Sequence, residues 1–173
     1  MTTIDIGSLL APVSAELPCG DDLAYDPAFL ELAQAAQTTK TDRMVAGDTA
    51  TTETDWRAVR KQAAELFSRT KDLRVAIILT RGLVNTAGLA GLAEGIACLR
   101  QLLEQYWQGV HPLLDAYDDN DPTMRLNVLK ELCDRDGMLV PARNAPLVSF
   151  AALGTFVDRL CKEVDEDLAR DAG

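Results

Sequence analysis

The fold is decided by residues 72–85, which read DLRVAIILTRGLVN. Apolar side chains fill most of these positions, so little polar face is left for solvent. A short apolar run also suits a buried strand, and a β-strand is the alternative for residues 75–79. The helix is favoured because the pattern exceeds strand length, begins at a capping aspartate, Asp72, and ends towards Gly88. We therefore predict a central helix from Leu73 to Asn85.

The chain after Gly88 predicts a second helix, from Leu89 to Gln108. Its apolar positions recur at steps of four and three, which is typical of one buried helical face. They are Leu92, Ile96, Leu99, Leu103 and Tyr106. Glycines at positions 88, 91 and 95 lie in the same pattern, and we interpret them as sites of close packing between helices.

Aspartates mark the other helix starts, because an aspartate side chain accepts a free amide at a helix N-terminus. Two of them precede proline, which fits the first helical position. The predicted helices run from Asp5 to Leu10, from Asp26-Pro27 to about Gln37, from Asp55 through Phe67, and from Asp121-Pro122 to near Gly137. Ser149 opens an amphipathic C-terminal helix over residues 149–173. Residues 38–54 are predicted as a long loop, and residues 138–148 as extended or turn-like.

Five or six helices with mostly short connections predict an all-α, bundle-like fold. The chain has 173 residues, of which 47% are hydrophobic, and this is enough to build one core. We therefore expect a single globular domain over residues 1–173. An α/β fold is the weaker alternative, since strand patterns are scarce.

The charge balance limits the possible partners. Acidic residues outnumber basic ones by 27 to 17, giving a net charge of −10, and no basic cluster is present to neutralise phosphates. Nucleic acid is therefore not expected as a partner, and neither is an anionic membrane surface. The longest apolar run, residues 75–79, is too short to cross a bilayer. The N-terminus lacks the pattern of a signal peptide, so the cytoplasm is the expected location.

No cofactor or metal is predicted. The four cysteines, Cys19, Cys98, Cys133 and Cys161, lie far apart in the sequence and form no C-x-x-C pair. The last three fall within helical patterns beside apolar residues, so we predict small buried thiols there. The glycine-rich patterns that hold phosphates are also missing from the sequence.

The side chains with potential for chemistry are few. His111 is the only histidine, and no serine or cysteine motif accompanies it, so we predict a loop histidine whose ring packs or bonds locally. A small hydrolase that uses His111 and loop carboxylates is kept as an alternative. The acidic run at Asp115, Asp118, Asp119 and Asp121 is interpreted as a solvated loop. A docking patch for a basic partner, or a cation site, is the alternative there.

Short motifs occur in a fixed order along residues 8–148. They read LLAPVS at 9–14, PCGDDL at 18–23, YDPAF at 25–29, DWRAV at 55–59, KDLRVA at 71–76, GLAGL at 88–92, YW at 106–107, HP at 111–112, DP at 121–122 and APL at 145–147. Together they resemble the N-terminal domain of the TssA/ImpA family of type VI secretion system proteins. Residues 149–173 match less clearly.

This resemblance implies a structural role without enzyme activity. TssA-like proteins are cytoplasmic assembly subunits that contact the baseplate, the inner tube and the contractile sheath, and they form rings through C-terminal regions that lie outside this sequence. The resemblance also implies that Arg74 or Arg125 bonds nearby carbonyls or carboxylates. An accessory sheath-anchoring protein with a similar N-terminal domain is the alternative in the same class. If the docking-patch alternative holds, the residues that contact the partner are Asp115, Asp118, Asp119 and Asp121.

Overall fold

The computed structural model describes residues 5–37 and 54–146. Within these ranges the regular elements are all helical, which confirms the all-α prediction. The predicted C-terminal helix, residues 149–173, and the predicted loop, residues 38–54, lie outside the described residues, except for Thr54. The α-helices are α1 (Ile6–Leu9), α2 (Pro27–Gln37), α3 (Trp56–Phe67), α4 (Leu73–Tyr106), α5 (Thr123–Leu129) and α6 (Val140–Asn144).

Four of the predicted aspartate caps are confirmed. In each case the carboxylate accepts a hydrogen bond from the amide two residues further on, at 2.7–3.0 Å. The capping residues are Asp5, Asp26, Asp55 and Asp72. Each contact is local in sequence, so these helix starts follow directly from the amino-acid order.

Helix α4 is folded into a hairpin at Gly88, whose backbone is non-helical (φ 63°, ψ −142°). A Cβ atom added at Gly95 would lie 2.6 Å from the Thr80 side chain, and one added at Gly91 would lie 2.3 Å from the Leu83 carbonyl oxygen. In a straight helix, residues 80 and 95 would be about 22 Å apart. The first arm, residues 73–87, therefore packs antiparallel against the second arm, residues 89–106. This confirms both predicted helices and the close-packing role of Gly91 and Gly95, whereas Gly88 is the residue at which the chain turns.

The hairpin also accounts for the length and apolar composition of α4, which taken alone would suit a membrane-spanning helix. Each arm is shorter than the roughly 20 residues that a bilayer-spanning helix needs. The first arm is buried almost completely within the domain. Its apolar composition is explained by the protein core.

The first arm is the centre of the fold, as predicted. Helix α3 covers one side of it and the second arm covers another, while α2 packs on α3. The core contains Leu32 from α2; Val59, Ala63, Leu66 and Phe67 from α3; and Leu99 and Leu102 from the second arm. The close approach of α3 is visible at Gly82, where an added Cβ would lie 3.1 Å from Arg60.

The predicted buried stripe of the second arm is only partly right. Leu99 is buried, but Ile96 is 48% exposed. The face that meets the first arm carries Gly91, Gly95, Cys98, Leu99 and Leu102. Glycines lack the side chains that would hold the two arms apart, so the second arm packs against the first arm through Gly91 and Gly95. Ile96 then lies beside this contact and is partly exposed.

The chain after residue 121 departs most from prediction. Helix α5 begins at Thr123, one residue later than expected, and ends at Leu129 rather than near Gly137. A 3₁₀ turn (Lys130–Cys133), a π turn (Arg135–Leu139) and α6 follow. Helical turns therefore replace the predicted extended segment over residues 138–144. The extended backbone of Asp134 separates the 3₁₀ turn from the π turn. The Asp134 carboxylate caps the π turn by accepting a hydrogen bond from the Gly137 amide at 2.8 Å.

Burial in this part of the chain differs from prediction at Cys133. Leu126 and Cys133 are exposed, so the expectation of a buried thiol at Cys133 is wrong. Arg125 is the buried residue of this helix, and Val128 and Leu132 pack against the core on the same side. A periodicity based on apolar residues alone does not place an arginine inward. Cys98 is buried as predicted, while Cys161 lies outside the described residues.

Candidate functional site

Three segments meet at the open end of the α4 hairpin, and we call this meeting point the junction. They are residues 18–22, 67–72 and 107–112. The Lys71 amide donates to the Cys19 carbonyl at 2.7 Å, and the Leu73 and His111 amides donate to the His111 and Lys71 carbonyls at 2.9 and 3.0 Å. Both loops are therefore fastened to the residues that lead into the first arm.

A buried lysine lies inside the junction. The Lys71 ammonium donates to the Phe67 carbonyl at 2.9 Å and lies 5.1 Å from the centre of the Phe67 ring. Burial lowers the pKa of Lys71, and it raises the pKa of the nearby Cys98 thiol to about 11. Because a thiol with such a pKa is neutral at physiological pH, Cys98 is a packing residue and a poor nucleophile.

Arg125 fixes the third segment of the junction. Its side chain is 1% exposed. Nε donates to the Pro112 carbonyl and Nη2 to the Val110 carbonyl, both at 2.7 Å, and Nη1 donates to the Trp107 carbonyl. The guanidinium carbon lies 4.9 Å from the centre of the Trp107 ring. This confirms the expectation that Arg125 bonds nearby carbonyls. The three hydrogen bonds connect residues 107–112 to helix α5.

Arg74 binds carboxylates, as the family resemblance implied. It donates to Asp72 at 3.0 Å through Nε and to Asp22 at 2.8 Å through Nη2. Burial raises the pKa of Asp22, but hydrogen bonds from the Ala24 amide and from Arg74 outweigh this effect and lower the pKa overall. The Arg74 guanidinium thus ties the N-terminal loop to the cap of α4.

His111 is buried, and its Nε2 atom lies 3.1 Å from the Gly20 carbonyl oxygen. A carbonyl only accepts, so Nε2 carries the proton. This confirms the prediction that the ring bonds locally. Nδ1 is buried and finds no hydrogen-bond partner among the described residues. No carboxylate in this part of the chain is bonded to the ring, so the acid–base pair that the hydrolase alternative requires is not formed there.

A cavity of about 490 Å³ opens beside His111, and we call it the groove. Its apolar walls come from Leu17, Pro18 and Cys19 on one segment and from Tyr106, Trp107 and Leu113 on another. Leu17 is 57% exposed and Leu113 is 54% exposed, which leaves apolar surface open to a partner. No sequence pattern predicts the groove, because the local signals for it are only the Leu17-Pro18 and Pro112-Leu113 pairs within loops.

The predicted contact residues Asp115, Asp118, Asp119 and Asp121 share one loop, which closes on itself. The Asp115 amide donates to the Asp121 carbonyl at 3.3 Å, and the Asp121 amide donates to the Asp118 carbonyl at 2.9 Å. The Asp115 carboxylate accepts from the Tyr117 amide, and the Asp121 carboxylate accepts from Thr123. Asp118 and Asp119 are exposed. Two of the four residues therefore support the loop, and contact with a partner stays a prediction.

The acidic loop shows no sign of the alternative cation site. Within residues 5–37 and 54–146, no group of three or more histidine, cysteine or carboxylate side chains could hold a metal ion. The groove is mainly apolar, and the acidic loop is exposed and negatively charged.

Comparison with known proteins gives a consistent result. Residues 10–134 match the family described as ImpA, N-terminal, type VI secretion system. The chain is 48% identical over 151 residues to the type VI secretion system component TssA1 of Pseudomonas aeruginosa, covering 87% of this chain and 44% of that relative. It also resembles a solved N-terminal domain, including the conserved ImpA region, of the TssA component from Burkholderia cenocepacia. The TM-score is 0.68 at 30% identity, covering 98% of this chain and 64% of that one.

Proposed function

Because this chain belongs to the ImpA N-terminal family of type VI secretion system proteins, we propose that it is the non-catalytic docking domain of a TssA-like assembly subunit. It holds a baseplate, inner-tube or sheath component in the cytoplasm. The chain spans 44% of the length of the curated relative it matches. By the same proposal, a full-length subunit of this family assembles into a ring through regions other than this domain.

The observation that supports docking is the open apolar groove on a rigid frame. Arg125 and the backbone bonds of the junction fix the loops that form the walls. A preformed concave surface costs little ordering when a partner binds. Its apolar walls suit one or two apolar anchor side chains of the partner.

The charge of the domain defines the partner further. The domain has a net charge of −10, Glu104 lines the groove, and the acidic loop begins two residues after Leu113. The proposed partner segment therefore carries an apolar anchor flanked by lysine or arginine. Opposite charges of this kind raise the association rate more than they slow dissociation.

The groove is tested by the double variant Leu17→Asp/Leu113→Asp. Both side chains are exposed, so the fold should be kept, while two carboxylates in the groove should weaken binding by at least about tenfold. Purified baseplate, tube and sheath proteins are each titrated against the chain, with affinity measured by calorimetry. The matched control is Leu30→Asp on α2, which is 52% exposed and does not line the groove. Equal affinity for the double variant and the control would exclude the groove as the contact.

The acidic loop is tested by Asp118→Asn/Asp119→Asn. Asparagine tolerates the left-handed backbone at residue 119 (φ 49°), so the loop should keep its shape. We expect association with the same partner to slow by about two- to fivefold at low salt, with a weaker salt dependence and a nearly unchanged dissociation rate. Stopped-flow mixing at several salt concentrations measures this. An unchanged association rate would remove the acidic loop from the encounter surface.

A further inference from the structure

The wall of the groove that follows the second arm has no edge to which a partner strand could bond. A strand adds to another segment by pairing with the amide and carbonyl groups of alternate residues. The amides and carbonyls of His111 and Asp115 are bonded within the domain, so only Leu113 between them lacks a backbone partner among the described residues. On the opposite edge, Pro112 has no amide hydrogen, and its carbonyl accepts from Arg125 at 2.7 Å. One residue is too short an edge for a strand.

The opposite wall, residues 17–20, is closed in the same way. All four of its carbonyls already accept a hydrogen bond from within the domain. Pro18 has no amide hydrogen, and the Leu17 amide donates to the Ser14 hydroxyl at 2.9 Å. The groove therefore offers a partner its side chains and almost no backbone groups.

Such a surface suits a helix better than an extended chain. The amides and carbonyls in the middle of a helix are bonded to one another, so the helix enters an apolar surface without losing a hydrogen bond. An extended chain would bring unpaired backbone groups against the apolar walls, and each group buried in this way weakens binding. The conformation of the bound segment follows from this difference.

Negative charge beside the groove decides the polar face of the bound segment. Glu104 lines the groove and pairs with Arg100 only at 3.9 Å, where both side chains are exposed. Such a pair contributes little, so the Glu104 carboxylate can exchange Arg100 for a cation of the partner. Asp118 and Asp119 in the acidic loop are also exposed. These carboxylates favour lysine or arginine on the polar face.

We propose that the groove binds one amphipathic, basic helix of the partner. The apolar side chains of this helix, at steps of three and four residues, pack on Leu17, Trp107 and Leu113. Its lysines or arginines face Glu104 and the acidic loop. The inference rests on the docking role proposed above and adds the conformation of the bound segment to it.

Synthetic peptides of leucine and lysine test the conformation directly. Two of them have the same composition and charge and differ only in residue order. In the first, the leucines recur at three and four residues, which favours an amphipathic helix; in the second, leucine and lysine alternate, which favours a strand. A third, proline-rich peptide with the same number of lysines represents the polyproline II conformation. Each is titrated into chain 1–173, and binding is followed by tryptophan emission, because Trp107 lines the groove and the peptides lack tryptophan.

We expect the helical peptide to bind at least about tenfold more tightly than the alternating one, which is the effect of a single unpaired backbone group. The far-ultraviolet circular dichroism of the mixture should show more helix than the sum of its components. Leu17→Asp/Leu113→Asp should abolish both signals. Because this variant adds two negative charges, nonspecific attraction of lysine would grow, so a loss of binding isolates the apolar contact. The control Leu30→Asp should bind like the unaltered chain.

Three outcomes would overturn the helix. One is binding of the alternating or the proline-rich peptide at the groove as tightly as the helical peptide, which would leave docking at the groove intact. Another is binding of the helical peptide that survives Leu17→Asp/Leu113→Asp. The third is no binding of the helical peptide at all. The docking role itself is judged separately, by the titrations with purified baseplate, tube and sheath proteins, so the two failures are told apart.

Discussion

Replacing Arg125 with alanine is expected to destabilise the domain by about 3–5 kcal/mol, because the buried side chain is the hydrogen-bond donor to three backbone carbonyls. The side chain donates to three carbonyls, of Trp107, Val110 and Pro112. Each carbonyl left buried without a donor costs about 1–3 kcal/mol. The variant also loses the stacking of the guanidinium on Trp107.

Urea denaturation of chain 1–173, followed by circular dichroism, measures this loss. Arg125→Lys is an informative companion, because an ammonium group keeps the charge but cannot donate to three carbonyls in a planar fork. It should give an intermediate loss. Arg57→Ala, at an exposed position of α3, should change stability by less than about 0.5 kcal/mol. A loss below about 1 kcal/mol for Arg125→Ala would mean that the loop at residues 107–112 is held by other contacts.

The helix starts could be predicted from sequence because the contacts that define them are local. An aspartate and an amide two residues later form the cap, as at Asp55 and Asp72, and no distant residue is needed. The break at Gly88 is local as well, since its positive φ favours glycine. The acidic loop was placed correctly for the same reason, because its residues are neighbours in the chain.

The interior of the site could not be predicted, because it depends on contacts between distant segments. Only the family resemblance suggested that Arg125 bonds carbonyls or carboxylates, because the position of its carbonyl partners is set by how the loop at residues 107–112 joins the hairpin. Ile96 was expected inside because the role of Gly91 and Gly95 as the packed face appears only once the arms are antiparallel. The groove is lined by Leu17 and Leu113, which are far apart in the sequence. A periodic pattern of apolar residues predicts a buried helix face, but it does not predict that two distant loops lie side by side.

Gly91→Ala is expected to destabilise the domain by about 3 kcal/mol through overpacking. The new Cβ would lie 2.3 Å from the Leu83 carbonyl oxygen and 2.7 Å from the Leu83 carbonyl carbon. Both atoms belong to the backbone, so no side chain can rotate to make room, and the two arms have to separate. At an exposed helical position the same change would stabilise by about 0.5–1 kcal/mol. The sign of the effect therefore tests the antiparallel packing.

The control for Gly91→Ala is Ala90→Gly, the reverse change at the exposed neighbouring residue, which should cost about 1 kcal/mol through helix propensity alone. Chemical denaturation gives both values. A stabilising Gly91→Ala would show that the arms do not touch at this point. The groove supplies a second readout, because its walls are attached to the open end of the same hairpin through Leu73 and His111. Separation of the arms moves one wall relative to the other, so Gly91→Ala should also weaken partner binding, whereas Ala90→Gly should leave the affinity unchanged.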